Sequence, residues 1–355
     1  MNDSTISGDG IADKRTALTL TLSLWERRFE AWRVALFLFL IVFLLAASTA
    51  CGGSSIPSTM TNASGTPIAQ PRADFKVDGK ILFVKDGVIY VWNNGNVRNL
   101  TSPGKDFEDP AWSPDGRRIA AAQKGTNHSD LIILSADGKP ERQLTKDLSN
   151  VSIDKSAWAR RPAWSPDGTK IAYVTDLGTD NFALWITDPD GANHRHANYQ
   201  PLGNGDVDSP SWSKDGKKLA FVTWWSGQGE LYVLDSATGV VKKITDDNDG
   251  IYDPVWSPDG SKIAYAKRSN GKHDIWAIDS NGGREMQLTS LGTATAPEWS
   301  PDGQMVAFVA DRGQGFDLYA VKIVAGPNGG AVATEAKQLT SGQNIDTTSG
   351  LSWAK

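Results

Sequence analysis

From about residue 75 to residue 355 the chain alternates short apolar runs with polar stretches. Runs of four or five apolar residues, such as Ile171–Val174 and Leu231–Leu234, are separated by segments rich in Gly, Asp, Ser and Asn. Runs this short, bounded by turn residues, predict strands rather than helices. Their faces are apolar on both sides. In Ile171-Ala172-Tyr173-Val174, Ile and Tyr point one way and Ala and Val the other. A sheet with one wet face would alternate more cleanly, so these strands belong to sheets covered on both faces.

The pattern recurs. Pro110–Ala122, Pro162–Val174, Pro210–Val222, Pro254–Ala266 and Pro297–Val309 share the sequence Pro-x-Trp-Ser-Pro/Lys-Asp-Gly followed by an apolar run. Their tryptophans are 112, 164, 212, 256 and 299, and Trp353 marks a partial sixth copy. Such spacing belongs to propellers and solenoids. In each unit Pro-x-Trp-Ser predicts a short strand beginning at Pro, which needs no amide there. Ser-Pro-Asp-Gly predicts a turn, with Pro presetting φ and Gly closing it. Two further apolar runs follow, and a last short strand ends in Leu-Thr or Ile-Thr at Thr145, Thr245, Thr289 and Thr340. Four antiparallel strands per unit make a propeller blade. Residues Lys80–Thr101 supply strands two to four of a blade, and Leu351-Ser352-Trp353 supplies a lone first strand. The two halves complement each other. The expected fold is therefore all-β: a six-bladed propeller over residues 74–355, closed by its C-terminal strand.

Five in-register copies of Trp-Ser-Pro/Lys-Asp-Gly make this region, residues 75–355, similar to the TolB-type propeller. That propeller type also underlies the catalytic domains of prolyl oligopeptidases and dipeptidyl peptidase IV. The departures are Lys214 in place of Pro, Ala121 where an aromatic is usual, and His194-Arg195-His196-Ala197 in place of a Leu-Thr ending. TolB carries an α/β domain before its propeller. Here only a tether precedes it, so the resemblance covers the propeller alone and implies no Tol-system role.

The N-terminal segment has a different pattern. Arg27, Arg28 and Arg33 precede an unbroken apolar run, Val34–Ala47, then Ser48-Thr49-Ala50 and Cys51. This order is that of a signal peptide or signal anchor over residues 1–50. The run is short for a spanning helix, which wants about 20 residues. Cys51 resembles the lipobox Cys of bacterial lipoproteins, which implies cleavage before Cys51 and its lipidation. Ser48 departs from that pattern, where an aliphatic is usual. Residues 51–73, rich in Gly, Ser, Thr and Pro, form a flexible tether. The expected location is extracytoplasmic and membrane-anchored, through lipid or through a retained N-terminal helix.

Charge and composition narrow the chemistry. The formal net charge is −5, which argues against a nucleic-acid partner. A single Cys makes neither an internal disulfide nor a Cys-based zinc site. No Gly-x-Ser-x-Gly, P-loop, dinucleotide or His-Glu-x-x-His motif occurs, so neither a cofactor nor a metal is expected. His194 and His196 fall on a predicted outer strand and read as a solvated edge. Asp246–Gly250 opens like a calcium loop but has Ser257 where a Glu is needed. The repeated Asp115, Asp167, Asp215, Asp259 and Asp302 are turn residues, because a site needs distinct residues in distinct roles.

Function is expected where the segments leading into the innermost strands break the repeat. Those segments carry Asp109, Asp208, Asp253 and Asp346, opposed by Arg160 and Arg161. Trp158, in the longest segment between blades, and Trp224-Trp225, in a loop within a blade, are candidate aromatic anchors. On an extended chain one of two adjacent Trp rings would be exposed. The resulting expectation is a monomeric, non-catalytic binding or scaffold module for an envelope protein, peptide or glycan. The alternative is a glycan hydrolase or lyase with Asp109, Asp208 and Asp253 as its acid and base.

Overall fold

The computed structural model describes residues 75–146, 156–197, 199, 205–246, 250–326 and 331–355. The expected signal segment, the tether with Cys51 and Asp247–Asp249 of the acidic loop lie outside the described residues.

Six antiparallel blades are formed. Blade II runs outward from Phe107–Trp112 through Arg118–Lys124 and Ser129–Ser135 to Pro140–Gln143. Blades III, IV and V begin at Ala159–Trp164, Val207–Trp212 and Ile251–Trp256 and repeat that order. Blade III ends in a two-residue strand, Arg195–His196, at the place where the repeat loses its Leu-Thr. Blade VI begins at Thr295–Trp299, and its long third strand, Phe316–Ala325, pairs with both Ala331–Ala333 and Lys337–Gln338. Blade I closes the ring. Its innermost strand is Ser352–Ala354, paired with Lys80–Lys85 through Lys80↔Ala354, Ile81↔Trp353 and Leu82↔Ser352.

The core is not one mass but six clusters, each between neighbouring blades. Leu82, Val84 and Ile89 of blade I meet Phe107, Ile119 and Leu134 of blade II. Ala220, Val222 and Leu231 of blade IV meet Ile251, Trp256 and Ile263 of blade V. Fully burying such a side chain contributes about 1.5–3 kcal/mol. This is why both faces of the middle strands are apolar.

Each Trp-Ser-Pro-Asp-Gly turn is closed by its own side chains. Ser113 Oγ donates to Asp115 Oδ1 at 2.6 Å and accepts the Arg118 N–H at 2.9 Å. The same Ser–Asp bond, at 2.6 Å, joins Ser165 to Asp167, Ser213 to Asp215, Ser257 to Asp259 and Ser300 to Asp302. The hydrogen bonds from these serines, followed by those from nearby backbone amides, hold the carboxyls of Asp115, Asp167 and Asp215 below the usual range.

One expectation is corrected. The innermost strands do not begin at the proline of Pro-x-Trp. They begin about three residues earlier, and the pairing register slips across the proline, for example between Glu108 and Ala111 and between Tyr252 and Val255. The slip is a β-bulge. Proline fits it because a bulged residue owes no ladder amide.

Candidate functional site

The bulge builds the site. In five blades the residue three before the Trp takes a left-handed backbone: Asp109, Arg161, Ser209, Asp253 and Ala296, with φ from 50° to 56°. Such a backbone is strained for residues other than Gly, Asn or Asp. These five residues and Gly350, their counterpart in blade I, line a cavity of about 280 Å³ along the propeller channel. The repeat thus fixes six backbone positions around the channel and leaves their side chains free to differ.

Arg161 dominates this ring. Its guanidinium lies 3.4 Å from Asp109, 3.5 Å from Asp208 and 3.4 Å from Asp253. It therefore reaches from blade III to blades II, IV and V. Its side chain is only 16% exposed, and those of its partners are 7%, 14% and 19% exposed. Burial works against the Arg161 charge, but the three aspartates and then Glu108 outweigh it and hold the guanidinium above its usual value. Burial also raises the Asp253 carboxyl against the pull of Arg161. The Asp109 Oδ2 atom accepts the Arg161 backbone N–H at 3.2 Å, and Ser209 Oγ donates to Asp253 at 3.1 Å. Ser349 Oγ accepts the Asp109 N–H at 2.7 Å.

The other candidates lie around this cluster. Arg160 is 3.9 Å from Asp208, and its guanidinium sits over the Phe182 ring at 4.1 Å. The Asp346 carboxylate accepts from Thr348 in a local turn, and its charge acts on Glu108 and Lys124, which pair at 2.9 Å. The backbone N–H of Trp158 is held by Asp176 at 2.7 Å, and Trp158 forms a parallel β-bridge with Ser129 of blade II.

Trp224 and Trp225 are both half-buried, where neighbours on an extended chain would leave one of the two exposed. The chain has left the strand there and turns. Trp225 donates to the Gly205 carbonyl at 3.0 Å and packs among Tyr199, Phe221 and Tyr232. Trp224 leans on Tyr252, with ring centroids 6.3 Å apart. His194 hydrogen-bonds with Tyr173 and the Leu144 carbonyl, both at 3.0 Å, while His196 stacks on Tyr199. No cluster of metal-ligand type is found among the described residues.

Sequence reasoning missed Glu298. It lines the same cavity from the position just before Trp299. The other blades carry Ala111, Ala163, Ser211, Val255 and Ser352 at this position. Burial pushes the Glu298 carboxyl up to about 8, opposed only by the backbone N–H of Trp353. The signal was present as one charged residue at a position that is otherwise small or apolar.

A closed ring of six antiparallel blades defines the class, a six-bladed β-propeller, here with charged residues at four of its channel bulges or beside them. The sequence matches the TolB beta propeller domain over residues 169–352, and the chain belongs to that family. It is 30% identical over 113 residues to the Tol-Pal system protein TolB of Anaeromyxobacter dehalogenans, covering 31% of this chain and 23% of that one. It is 35% identical over 91 residues to the uncharacterized peptidase YuxL of Bacillus subtilis, covering 25% of this chain and 13% of that one. The matched segment thus spans less than a quarter of either relative's length. Among solved structures, TolB from Acinetobacter baumannii superposes with a TM-score of 0.58 at 22% identity, covering 78% of this chain and 66% of that one. The structure of a TolB from Agrobacterium tumefaciens gives 0.59 at 20% identity, covering 78% and 99%. These likenesses establish the fold.

Proposed function

We propose that this chain is an exported, membrane-tethered propeller that binds a protein, peptide or cell-envelope ligand at its channel mouth without catalysing a reaction. The observation that carries this reading is the Arg161 cluster. Three carboxylates share one guanidinium in a concave, largely buried site, and the sum is negative. Such a site favours partners that bring positive charge. The relationship to TolB, a Tol-Pal system protein, supports an envelope role, and the signal-like N-terminus supports export.

Glycan hydrolysis or elimination by Asp109, Asp208 and Asp253 is the weaker reading. Acid–base chemistry needs room between two carboxyls for a water or a sugar oxygen. Here a guanidinium lies within 3.5 Å of all three. The test is capture of partners from native envelope by the full chain in detergent, compared with Asp208→Asn/Asp253→Asn. A partner recovered by the parent and lost by the variant supports the reading. Equal recovery by both, or none by either, overturns it.

A further inference from the structure

The face opposite the mouth carries a pattern of its own. Phe107 donates to the Gly87 carbonyl at the mouth, so Lys80–Lys85 runs towards the mouth and Lys80 stands at the far end. The described chain therefore begins on the far face. The Trp-Ser-Pro-Asp-Gly turns lie there too, and so do the turns between third and fourth strands, joined by bonds such as Ala136 N–H to the Arg117 carbonyl at 2.9 Å. In blade VI the second strand is last paired at Met305↔Lys322, and the third strand runs on through Ile323, Val324 and Ala325. It pairs there with Ala331–Ala333, in a hairpin that stands off the face by about 10 Å, three residues of strand. From residue 323 to residue 334 the sequence has no charged side chain. Ile323 and Ala333 pack on the core between blades V and VI. Val324 and Val332 pair on the other side of the hairpin, and Val332 is 42% exposed.

Blade IV adds a second feature to this face. Lys214 replaces the proline of the repeat. Its Cβ lies over Gly260 as Pro166 lies over Gly216, so the frame is kept while the side chain stays exposed. Lys217 and Lys218 follow it, both exposed, and Lys242 donates to the Asn281 carbonyl at 2.6 Å on the same face. These four lysines outnumber Asp215 and Asp235, the acids of the two turns, so the sector is positive where the mouth cluster is negative. Beside it Val240 is 63% exposed, in the turn that Ser236 ties to the Lys217 carbonyl. Of the three large hydrophobic side chains exposed among the described residues, Val240 and Val332 are on this face. Exposed apolar groups set among cations suit an anionic, amphiphilic surface.

We propose that the face opposite the mouth docks on an anionic phospholipid surface, with Val324 and Val332 of the blade VI hairpin entering the headgroup layer and the blade IV lysines meeting lipid phosphates. An interfacial element sinks about 5–10 Å, the depth this hairpin reaches, and water there still meets its open edges. The inference rests on the membrane-tethered part of the reading above and is independent of what binds the mouth. Residues 51–73 precede the described chain, which begins on this face, and a Gly/Ser-rich stretch of that length spans about 25 Å on average. Held that close to lipid, the face needs little affinity of its own to stay docked. A propeller docked in this way turns its mouth away from the bilayer.

The experiment is hydrogen exchange, read by mass spectrometry, on the full chain in three settings. These are vesicles of phosphatidylglycerol and phosphatidylcholine in equal parts, vesicles of phosphatidylcholine alone, and detergent. In the mixed vesicles the amides of Val324, Ala325 and Ala331–Ala333 should exchange at least about tenfold slower than in detergent. The protection should weaken in phosphatidylcholine alone and in high salt, and the mouth segment 102–106 should exchange alike in all three. Val324→Asp/Val332→Asp should abolish the protection, and Lys214→Glu/Lys217→Glu should weaken it in the mixed vesicles only. All four positions are on the surface, so neither variant threatens the fold.

No protection in the mixed vesicles, equal protection in phosphatidylcholine alone, or protection unchanged in both variants overturns the proposal. Protection that vanishes as the chain is diluted at constant lipid overturns it in favour of contact between copies. Flotation of the same samples reads the tether separately. A chain that floats with both kinds of vesicle while its hairpin stays unprotected refutes docking and leaves the tether standing. A chain that floats with the mixed vesicles alone, its hairpin protected, supports docking and refutes the tether.

Discussion

At the scale of single residues, the threonines that end the blades do more than fill a strand. Thr245 Oγ1 accepts the Leu231 N–H at 3.0 Å and donates to Glu230 at 2.7 Å. Thr145 pairs in the same way with Leu131 and Asp130, Thr289 with Ile275 and Asp274, and Thr340 with Leu318 and Asp317. Each bond pins the outer strand to the start of the third. Thr245→Val keeps the shape and removes the oxygen, leaving a buried N–H without its acceptor. The expected cost is about 2 kcal/mol. Urea unfolding should show a lower midpoint with an unchanged slope. The sequence displayed these threonines but not their acidic partners, because the pair is separated by the whole hairpin between strands three and four.

At the scale of elements, Gly79 shows how tightly the closing blade is built. It has φ +101°, and a Cβ there would lie 2.3 Å from the Ala354 carbonyl oxygen. Gly104, at φ +81°, has nothing within 4 Å of the same position. Gly79→Ala should therefore lower the melting temperature more than Gly104→Ala, which pays only the backbone strain of about 1–2 kcal/mol. Amide exchange at Ile81 and Trp353 should quicken in the first variant alone.

Turns and strand order were legible in the sequence because Ser-Pro-Asp-Gly acts within five residues. Closure was legible because the two partial blades were complementary. The bulge was not. It is a property of how Glu108 and Ala111 pair with the neighbouring strand, and no local pattern specifies that register. Asp109, Arg161, Asp208 and Asp253 could be chosen because they break the repeat, but that the three aspartates meet at the Arg161 guanidinium needed the ring. That Trp224 and Trp225 are both half-buried was not foreseen, because an extended-chain rule was applied to a turn. Glu298 escaped notice inside the motif itself, at a position that looked variable.

At the scale of the whole molecule, stability is shared by six interblade cores arranged in a circle. The cluster between blades VI and I contains Leu351 and Trp353 as well as Ile81 and Phe83. Deleting residues 350–355 should expose this cluster and the edge of Lys80–Lys85, a template for association. Size-exclusion chromatography should show oligomers or aggregates, and a synthetic peptide covering residues 349–355 should restore the monomer when added in excess. An intact monomer after deletion would mean that five blades and a partial sixth suffice.

The closing pair also sets how the molecule bears mechanical load. Lys80 lies opposite Ala354, so the two ends of the described chain leave the sheet side by side. Pulling those ends apart peels the strands open one hydrogen bond at a time, the direction in which a β ladder yields most easily. A propeller pulled by its two ends opens like a clasp, at the one blade whose strands come from both ends of the described chain.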